Sequence, residues 1–157
     1  MKKLFKGILT GFFFLAATTG AVTGVIAAEK STAAEATAMV QKAIAYMKEH
    51  GQEKALAEFN NPNGQFVKND LYIYVYDLQG KNLAHGANQK LVGKNLLDMR
   101  DADGKLIIQE FIQTANSKGK GWVDYKWANP TTQTVEPKSG YVEKSGDVII
   151  GSGIYKG

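Results

Sequence analysis

The sequence predicts an α+β domain, with a long N-terminal helix on one face of a five-stranded antiparallel sheet. Three patterns support this fold class: an apolar stripe of helical period near the start, a second helical segment after residue 104, and five short segments rich in β-branched and aromatic residues. Strand segments joined by short connections are expected to pair antiparallel. A chain of 157 residues is long enough for one domain that buries its own core.

The first predicted helix runs from Ser31 to about His50. Its apolar residues recur every three or four positions and form a single stripe: Ala36, Val40, Ala43, Ile44 and Met47. Ser31 or Thr32 can cap its start, Gly51 interrupts it, and QEKALAEFN continues as a short second helix. We expect the stripe to pack on one face of the sheet, and NPNG to end the helical region.

Alternation defines the strand DLYIYVYD, in which three tyrosines face one way and three aliphatic residues face the other. NLAHG is the second strand, and the last three are GKGWVDYKW, PKSGYVEK and DVIIGSGIYKG, with a hairpin at Ser145-Gly146. The helix KLIIQEFIQTANSKG lies between the two groups. Since the first helix covers only one face, we expect the loop from Lys90 to Gly104 and this helix to cover the other. A loop of that length is usually functional.

Residues 1–28 are predicted to be a secretory signal peptide, which leaves a single domain over residues 29–157. Three lysines within the first six residues precede an uncharged run from Gly7 to Ala28, and the run ends in two small alanines suited to cleavage. These 22 uncharged residues could also span a bilayer as an anchor. Four glycines and four threonines in the run favour cleavage. We therefore expect a periplasmic protein.

Composition and motifs argue against several functions. Without residues 1–28 the chain has 16 Lys and Arg against 15 Asp and Glu, a net charge of +1, so nucleic-acid binding is not expected. The sequence has no cysteine, two histidines and no G-x-S-x-G motif. DADGK lacks the ligand spacing of a calcium loop, and GSG at 151–153 lies in a strand with no helix after it, unlike a phosphate loop. We expect no catalytic residue, no metal and no cofactor.

Aromatic residues from three strand segments indicate a binding site for a small molecule. Tyrosine and tryptophan provide apolar walls with hydrogen-bonding tips. The residues concerned are Tyr72, Tyr74, Trp122, Tyr125, Trp127 and Tyr141. The cationic donors that could hold a carboxylate beside them are His85, Arg100, Lys138 and Lys94. Gly151 and Gly153 leave room on one face of the last strand for a ligand or another backbone.

The strand GWVDYKW raises the question of which of its faces belongs to the site. Alternation separates two sets, which are Val123, Tyr125 and Trp127 against Trp122, Asp124 and Lys126. Two charges in three residues make the second face the wetter one. From the residues alone, the first face is either plain core or the wall of a pocket.

Three ordered stretches resemble the single Cache domain of type 2: DLYIYVYDLQGKNLAHGANQKLVGKNLLDMRDADGK, GKGWVDYKWANP and EPKSGYVEKSGDVIIGSGIY. The resemblance covers about residues 31–156. It implies a PAS-like sheet with an added N-terminal helix, in an extracytoplasmic sensor module of chemoreceptors and histidine kinases. Some of these modules bind small organic acids such as acetate or propionate. Because the chain stops directly after the last strand, it is similar to the free-standing, exported Cache proteins.

The resemblance favours the pocket over plain core. It implies a ligand-binding site formed by Tyr74, His85, Arg100, Tyr125, Trp127 and Lys138, with a short carboxylate held by Arg100 or Lys138 and its hydrocarbon part on the rings. The expected function is an exported sensor module for signal transduction, with a membrane receptor, kinase or transporter as partner and a homodimer through the N-terminal helix as a further expectation. The alternative is a ligand-free interaction subunit of a periplasmic receptor or enzyme complex.

We expect the mature protein to begin near Glu29 and to occur in the soluble periplasmic fraction, because the charged start, the apolar run and the Ala-Ala end together match a cleavable signal. Intact-mass measurement of the protein recovered from that fraction identifies its first residue. Recovery of the full-length chain in the membrane fraction would instead identify an anchored protein.

Overall fold

The computed structural model describes residues 30–156, so the predicted signal peptide lies outside the described residues. The helices are α1 (Ala33–His50), α2 (Gln52–Phe59) and α3 (Ile107–Lys118). The strands are β1 (Val67–Lys68), β2 (Leu71–Tyr72), β3 (Tyr74–Asp77), β4 (Asn82–His85), β5 (Lys120–Ala128), β6 (Val135–Ser145) and β7 (Val148–Tyr155). A short 3-10 turn, Gln89–Leu91, follows β4. None of the helices in this described part is long and apolar enough to cross a membrane.

The main sheet has five antiparallel strands in the order β4-β3-β7-β6-β5, which confirms the predicted fold class. β6 and β7 form the predicted hairpin, but its two-residue turn is Gly146-Asp147, because Ser145 still pairs with Val148. Gly146 takes a positive φ of 61° there. The register places Lys138 directly between Tyr125 and Tyr155 on the neighbouring strands. Directly opposed residues of paired strands point to the same face, so these three side chains form one row.

The predicted strand DLYIYVYD is divided in the structure. Its first part, β2, pairs with β1 in a separate two-stranded ribbon, and its second part, β3, belongs to the main sheet. Ile73 lies at the division, because its N–H donates to the Phe66 carbonyl at 3.2 Å while its own carbonyl accepts from the Gly86 N–H at 2.9 Å. The strand therefore changes partners at one residue without losing its alternation.

The long helix α1 covers one face of the sheet along β7 and β6. Thr32 caps it through a capping box with Glu35, whose backbone N–H donates to the Thr32 hydroxyl at 3.2 Å. The predicted stripe is confirmed: Val40 and Ile44 are buried in a cluster that also contains Ile73 and Ile150, and the half-buried Met47 packs against it.

Helix α3 and the preceding loop cover the opposite face of the sheet. The buried residues of α3 are Ile107, Ile108, Phe111 and Ala115, and they pack against the three tyrosines of the divided strand. Leu96 and Met99 of the loop are partly buried against the same cluster. The alternation of tyrosine and aliphatic residues is thus confirmed, since the tyrosines face α3 while Ile73 and Val75 face α1.

Replacing Ile44 by alanine is expected to lower the free energy of unfolding by about 2–5 kcal/mol, because the truncation leaves a cavity under α1. Lys48→Ala on the exposed side of the same helix is the control, with an expected change within about 0.5 kcal/mol. Urea denaturation of both variants measures the difference. Equal midpoints would mean that Ile44 does not support the sheet.

Candidate ligand-binding site

Lys138 on β6 is a buried cation with only 1% of its surface exposed. Its Nζ donates to the Tyr72 hydroxyl at 2.7 Å and to the Tyr155 hydroxyl at 3.3 Å. The same nitrogen lies 4.0 Å from the Tyr72 ring centroid and 4.5 Å from that of Tyr155. Among residues 30–156, none of the ion pairs involves Lys138. Phenol groups therefore take the place that a carboxylate usually has beside a buried lysine.

Glycines in β6 and β7 create the space for this arrangement. A Cβ at Gly151 would lie 2.2 Å from the Tyr74 ring, and one at Gly140 would lie 2.6 Å from the Tyr74 hydroxyl. A Cβ at Gly153 would lie 3.1 Å from Cε of Lys138 and still closer to the β6 backbone. The room predicted on this face is thus occupied by the Tyr74 ring at Gly151, and by the β6 backbone and the end of Lys138 at Gly153.

Burial changes the protonation equilibria of the two basic groups at the site. It lowers the pKa of Lys138 well below 10.5, although the negative charge of Asp70 acts in the opposite direction. Burial, together with the charge of Lys138, lowers the pKa of His85 to about 3. His85 is therefore neutral at physiological pH. Its Nδ1 accepts the Asn88 N–H at 3.0 Å, so the ring proton is assigned to Nε2.

The phenol groups around Lys138 are held in their neutral form. Burial raises the pKa values of Tyr72, Tyr74 and Tyr125 well above 10. The Tyr155 hydroxyl donates to the Ala128 carbonyl at 2.8 Å. Because neutral phenols keep their protons, they can donate to an anion but cannot neutralise the charge of Lys138. The chemistry of the site thus suits an anionic group with an apolar body.

The rings enclose a cavity of about 10 Å³, roughly the volume that one water molecule requires. Tyr74 stacks on Phe111 with the ring centroids 5.4 Å apart. The residues that line the cavity are Tyr72, Tyr74, Tyr76, His85, Met99, Ile107, Ile108, Phe111, Tyr125 and Trp127. A molecule larger than water fits only if part of this wall moves.

The structure brings together five of the six residues predicted for the site. Tyr74, His85, Tyr125 and Trp127 line the cavity, and Nζ of Lys138 lies beside it, 5.9 Å from the Tyr74 ring centroid.

The sixth predicted residue, Arg100, lies elsewhere. Arg100 is exposed, and its Nη1 donates to the Gly104 carbonyl at 2.7 Å. It borders a surface groove outside the cavity. Lys94, which the sequence also suggested as a donor, is exposed as well.

Tyr155 is the main site residue that sequence reasoning missed. Tyr72 appeared among the aromatic candidates but not in the final set, and Phe111 and Met99 were assigned to the cover of the sheet. A signal for Tyr155 existed in the alternation, because a hairpin at Ser145-Gly146 places residue 155 on the same face as Lys138. The direct opposition of the two residues follows from the observed turn at Gly146-Asp147.

The strand GWVDYKW has the two faces that its alternation predicted. Val123 and Tyr125 are buried against α3, whereas Asp124 is exposed. Trp122 is 41% exposed and packs on Tyr141 at the α1 side of the sheet. Tyr141 and Trp122 therefore lie on the opposite face from the cavity. In the described part of the chain, no three His, Asp or Glu side chains are grouped so that they could hold a metal ion.

Family comparison assigns the chain to the Cache sensor domains. The chain belongs to the single Cache domain 2 family, whose model matches residues 20–157. Two curated relatives are similar over 88 residues, or 55% of this chain: a sensor histidine kinase of Rhizobium johnstonii at 36% identity and a methyl-accepting chemotaxis protein of Pseudomonas putida at 35%. The matched part is 19% and 16% of these proteins, respectively. The chain thus spans less than a fifth of their length.

Solved structures give the same assignment. A methyl-accepting chemotaxis protein from Vibrio parahaemolyticus is 30% identical, with a TM-score of 0.67 and coverage of 78% of this chain and 86% of that protein. A Cache chemosensory domain, whose structure explains its recognition of carboxylic acids, is 27% identical with a TM-score of 0.68. That match covers 79% of this chain and 92% of the domain.

Stability should depend on pH through His85. Its pKa is about 3 in the folded protein and 6.5 ordinarily, so the unfolded chain binds the extra proton between these values. The free energy of unfolding is therefore expected to fall as pH decreases from 6.5 towards 3, by up to about 1.4 kcal/mol per pH unit. His85→Gln lacks this contribution. Urea denaturation at pH 4.5 and 6.0 should show a smaller loss in the variant, since the acidic groups titrate in both proteins. Equal losses would contradict the assignment of a buried, neutral imidazole.

Proposed function

We propose that this chain is an exported sensor module that binds a short monocarboxylate at the aromatic cavity. The observation that carries the proposal is Lys138, a buried amine with no carboxylate partner among residues 30–156. Taking a charged ammonium out of water is costly unless an opposite charge accompanies it. A bound carboxylate supplies that charge, and it favours the protonated form of Lys138 that burial disfavours.

The donors around the cavity complement the two oxygens of a carboxylate. Lys138 and His85 approach from different strands, one as an amine and the other through its Nε2 proton. The Tyr155 hydroxyl lies 3.3 Å from that of Tyr72 at the same end, but it adds no donor, because its proton goes to the Ala128 carbonyl. Since an ionised carboxylate only accepts hydrogen bonds, a set composed of donors selects it over an amine or a neutral amide.

The rest of the cavity determines what accompanies the carboxylate. Phe111, Ile107 and Ile108 of α3 form an apolar wall. A second charged group at this wall would lose its hydration without finding a partner, which favours acids with one charge and a short hydrocarbon tail. Because the cavity has the volume of about one water molecule, its wall must move to admit an acid. Met99 and Trp127 are only half-buried, so they are the wall residues most free to move.

The comparisons support a sensory role for the bound acid. The relatives are a sensor kinase and chemotaxis proteins, and one similar domain is described for its recognition of carboxylic acids. We propose that residues 1–28 direct export and that the Cache domain occupies 29–157. We further propose that the domain signals the bound acid to a membrane receptor, kinase or transporter without converting it chemically. Pairing through α1 stays a prediction. A ligand-free interaction subunit gives no role to the buried amine of Lys138, which forms no ion pair among residues 30–156.

Removing the amine should weaken binding of the carboxylate about tenfold or more, since a charge-assisted hydrogen bond contributes about 1.5–3 kcal/mol. A thermal-shift screen with formate, acetate, propionate, lactate and pyruvate identifies the acid, and calorimetric titration compares Lys138→Met with the unmodified protein. Lys144→Met is the matched control, because Lys144 is exposed on the same strand and bonds only to Asn116 among the described residues.

Neutral amides of the same acids test the charge requirement directly. Acetamide and propionamide have the size of acetate and propionate but carry no charge, so they are expected to give no shift. Unchanged affinity in a folded Lys138→Met protein would remove Lys138 from the site. A protein that no small acid stabilises would overturn the proposed function.

A further inference from the structure

A surface groove lies outside the closed cavity, and Trp127 belongs to both. The groove has a volume of about 320 Å³. Its lining residues are Asn88, Arg100, Asp101, Ala102, Lys126, Trp127, Ala128 and Val135. Four of these residues come from the segment between β4 and α3, three from the end of β5, and Val135 from the start of β6. The groove therefore runs over the seam between the loop before α3 and the edge strand of the sheet.

Asp101 joins the two sides of the seam. Its Oδ2 accepts the backbone N–H of Lys126 on β5 at 3.0 Å. β5 is an edge strand, paired on one side by β6, so this N–H points away from the sheet and needs a partner from outside it. The loop supplies that partner.

The two oxygens of Asp101 have separate tasks. Oδ1 accepts the N–H groups of Asp103 and Lys105, both at 2.9 Å, and so folds the loop into a tight turn. Oδ2 alone reaches β5. Partial desolvation raises the pKa of Asp101, but the three N–H donors outweigh it and lower the pKa below 3.8. The carboxylate is therefore ionised at physiological pH, and its bond to Lys126 is charge-assisted.

Two further contacts cross the seam at the surface. Nζ of Lys105 donates to the Asp124 carbonyl at 2.6 Å, and Nζ of Lys126 pairs with Asp103 at 2.8 Å. Both are made by lysine ends with substantial exposure, and such contacts contribute little. The carboxylate of Asp101 is thus the main contact that holds the backbone of β5 to the loop before α3.

The residues next to this contact are the half-buried wall of the cavity. Met99 lies two positions before Asp101, and Trp127 directly follows Lys126. We propose that the seam between Met99 and Trp127 is the port through which the cavity opens, and that the hydrogen bond from Lys126 to Asp101 is its latch. The nature of the molecule that passes rests on the proposed function, whereas the location of the port does not.

Asp101→Asn separates the latch from the turn. The amide oxygen of asparagine can still accept the two N–H groups that fold the loop, but its NH₂ group replaces Oδ2 and cannot accept from Lys126. Asp103→Asn is the matched control. It makes the same chemical change two residues away and weakens only the exposed pair with Lys126.

Hydrogen exchange measured by NMR tests the latch without any ligand. The Lys126 amide is expected to exchange about tenfold faster or more in Asp101→Asn, and unchanged in Asp103→Asn. Acrylamide quenching then tests the port. The chain has two tryptophans, so a Trp122→Phe background leaves Trp127 as the reporter. Its quenching constant should rise severalfold in Asp101→Asn alone. Equal quenching in both variants would place the port elsewhere.

Propionate kinetics distinguish a latch from a binding contact. A latch that closes the protein before and after binding slows entry and exit alike, so its loss should raise both rate constants severalfold and leave Kd nearly unchanged. A contact to the ligand would alter mainly the dissociation rate. Increased quenching in a protein that binds none of the screened acids would contradict the proposed function but support the port. Unchanged rate constants in a variant that binds propionate would overturn the latch.

Discussion

The structure of the site depends on the burial of one amine, that of Lys138. Its partners, the hydroxyls of Tyr72 and Tyr155, accept hydrogen bonds from it without supplying negative charge. Burial disfavours the ammonium form of Lys138 and the phenolate form of Tyr72 alike, so a phenolate does not supply that charge. The neutral state of His85 follows from the same burial and from the nearby lysine. Under the proposed function, a bound carboxylate supplies the negative charge that these neighbours of Lys138 lack.

The two faces of the sheet divide stability from function. The α1 face is composed of aliphatic and aromatic residues, and its polar groups are few. The α3 face carries a lysine, a histidine and several phenols among its apolar residues, which is an expensive composition for a core. The fold tolerates this composition on the α3 face because the α1 face supplies ordinary apolar burial. The glycines of β6 and β7 belong to the functional face, where they admit the rings of Tyr74 and Tyr125.

The loop before α3 forms one side of the proposed port. Its inner residues, Leu96 and Met99, complete the apolar cover, and its outer residues hold the edge strand. A loop with a packed side and a hydrogen-bonded side can move as a unit about few contacts. In a sensor module, such a loop is suited to couple occupation of the cavity to a change at the protein surface.

Local sequence patterns determined the elements, their faces and most of the site. Alternation in DLYIYVYD and GWVDYKW assigned the tyrosines and Trp127 to one face, since successive side chains of a strand must point to opposite sides. The predicted hairpin also assigned Tyr155 to the same face as Lys138, whereas their direct opposition depends on the observed turn at Gly146-Asp147. What only the tertiary structure decided was exposure. In the sequence, Lys138 and Arg100 are equally plausible residues for binding a carboxylate. Lys138 is buried because its strand lies between two others, whereas Arg100 is exposed because its loop is turned outward by Asp101. Burial depends on elements distant in the chain, and local patterns do not contain that information.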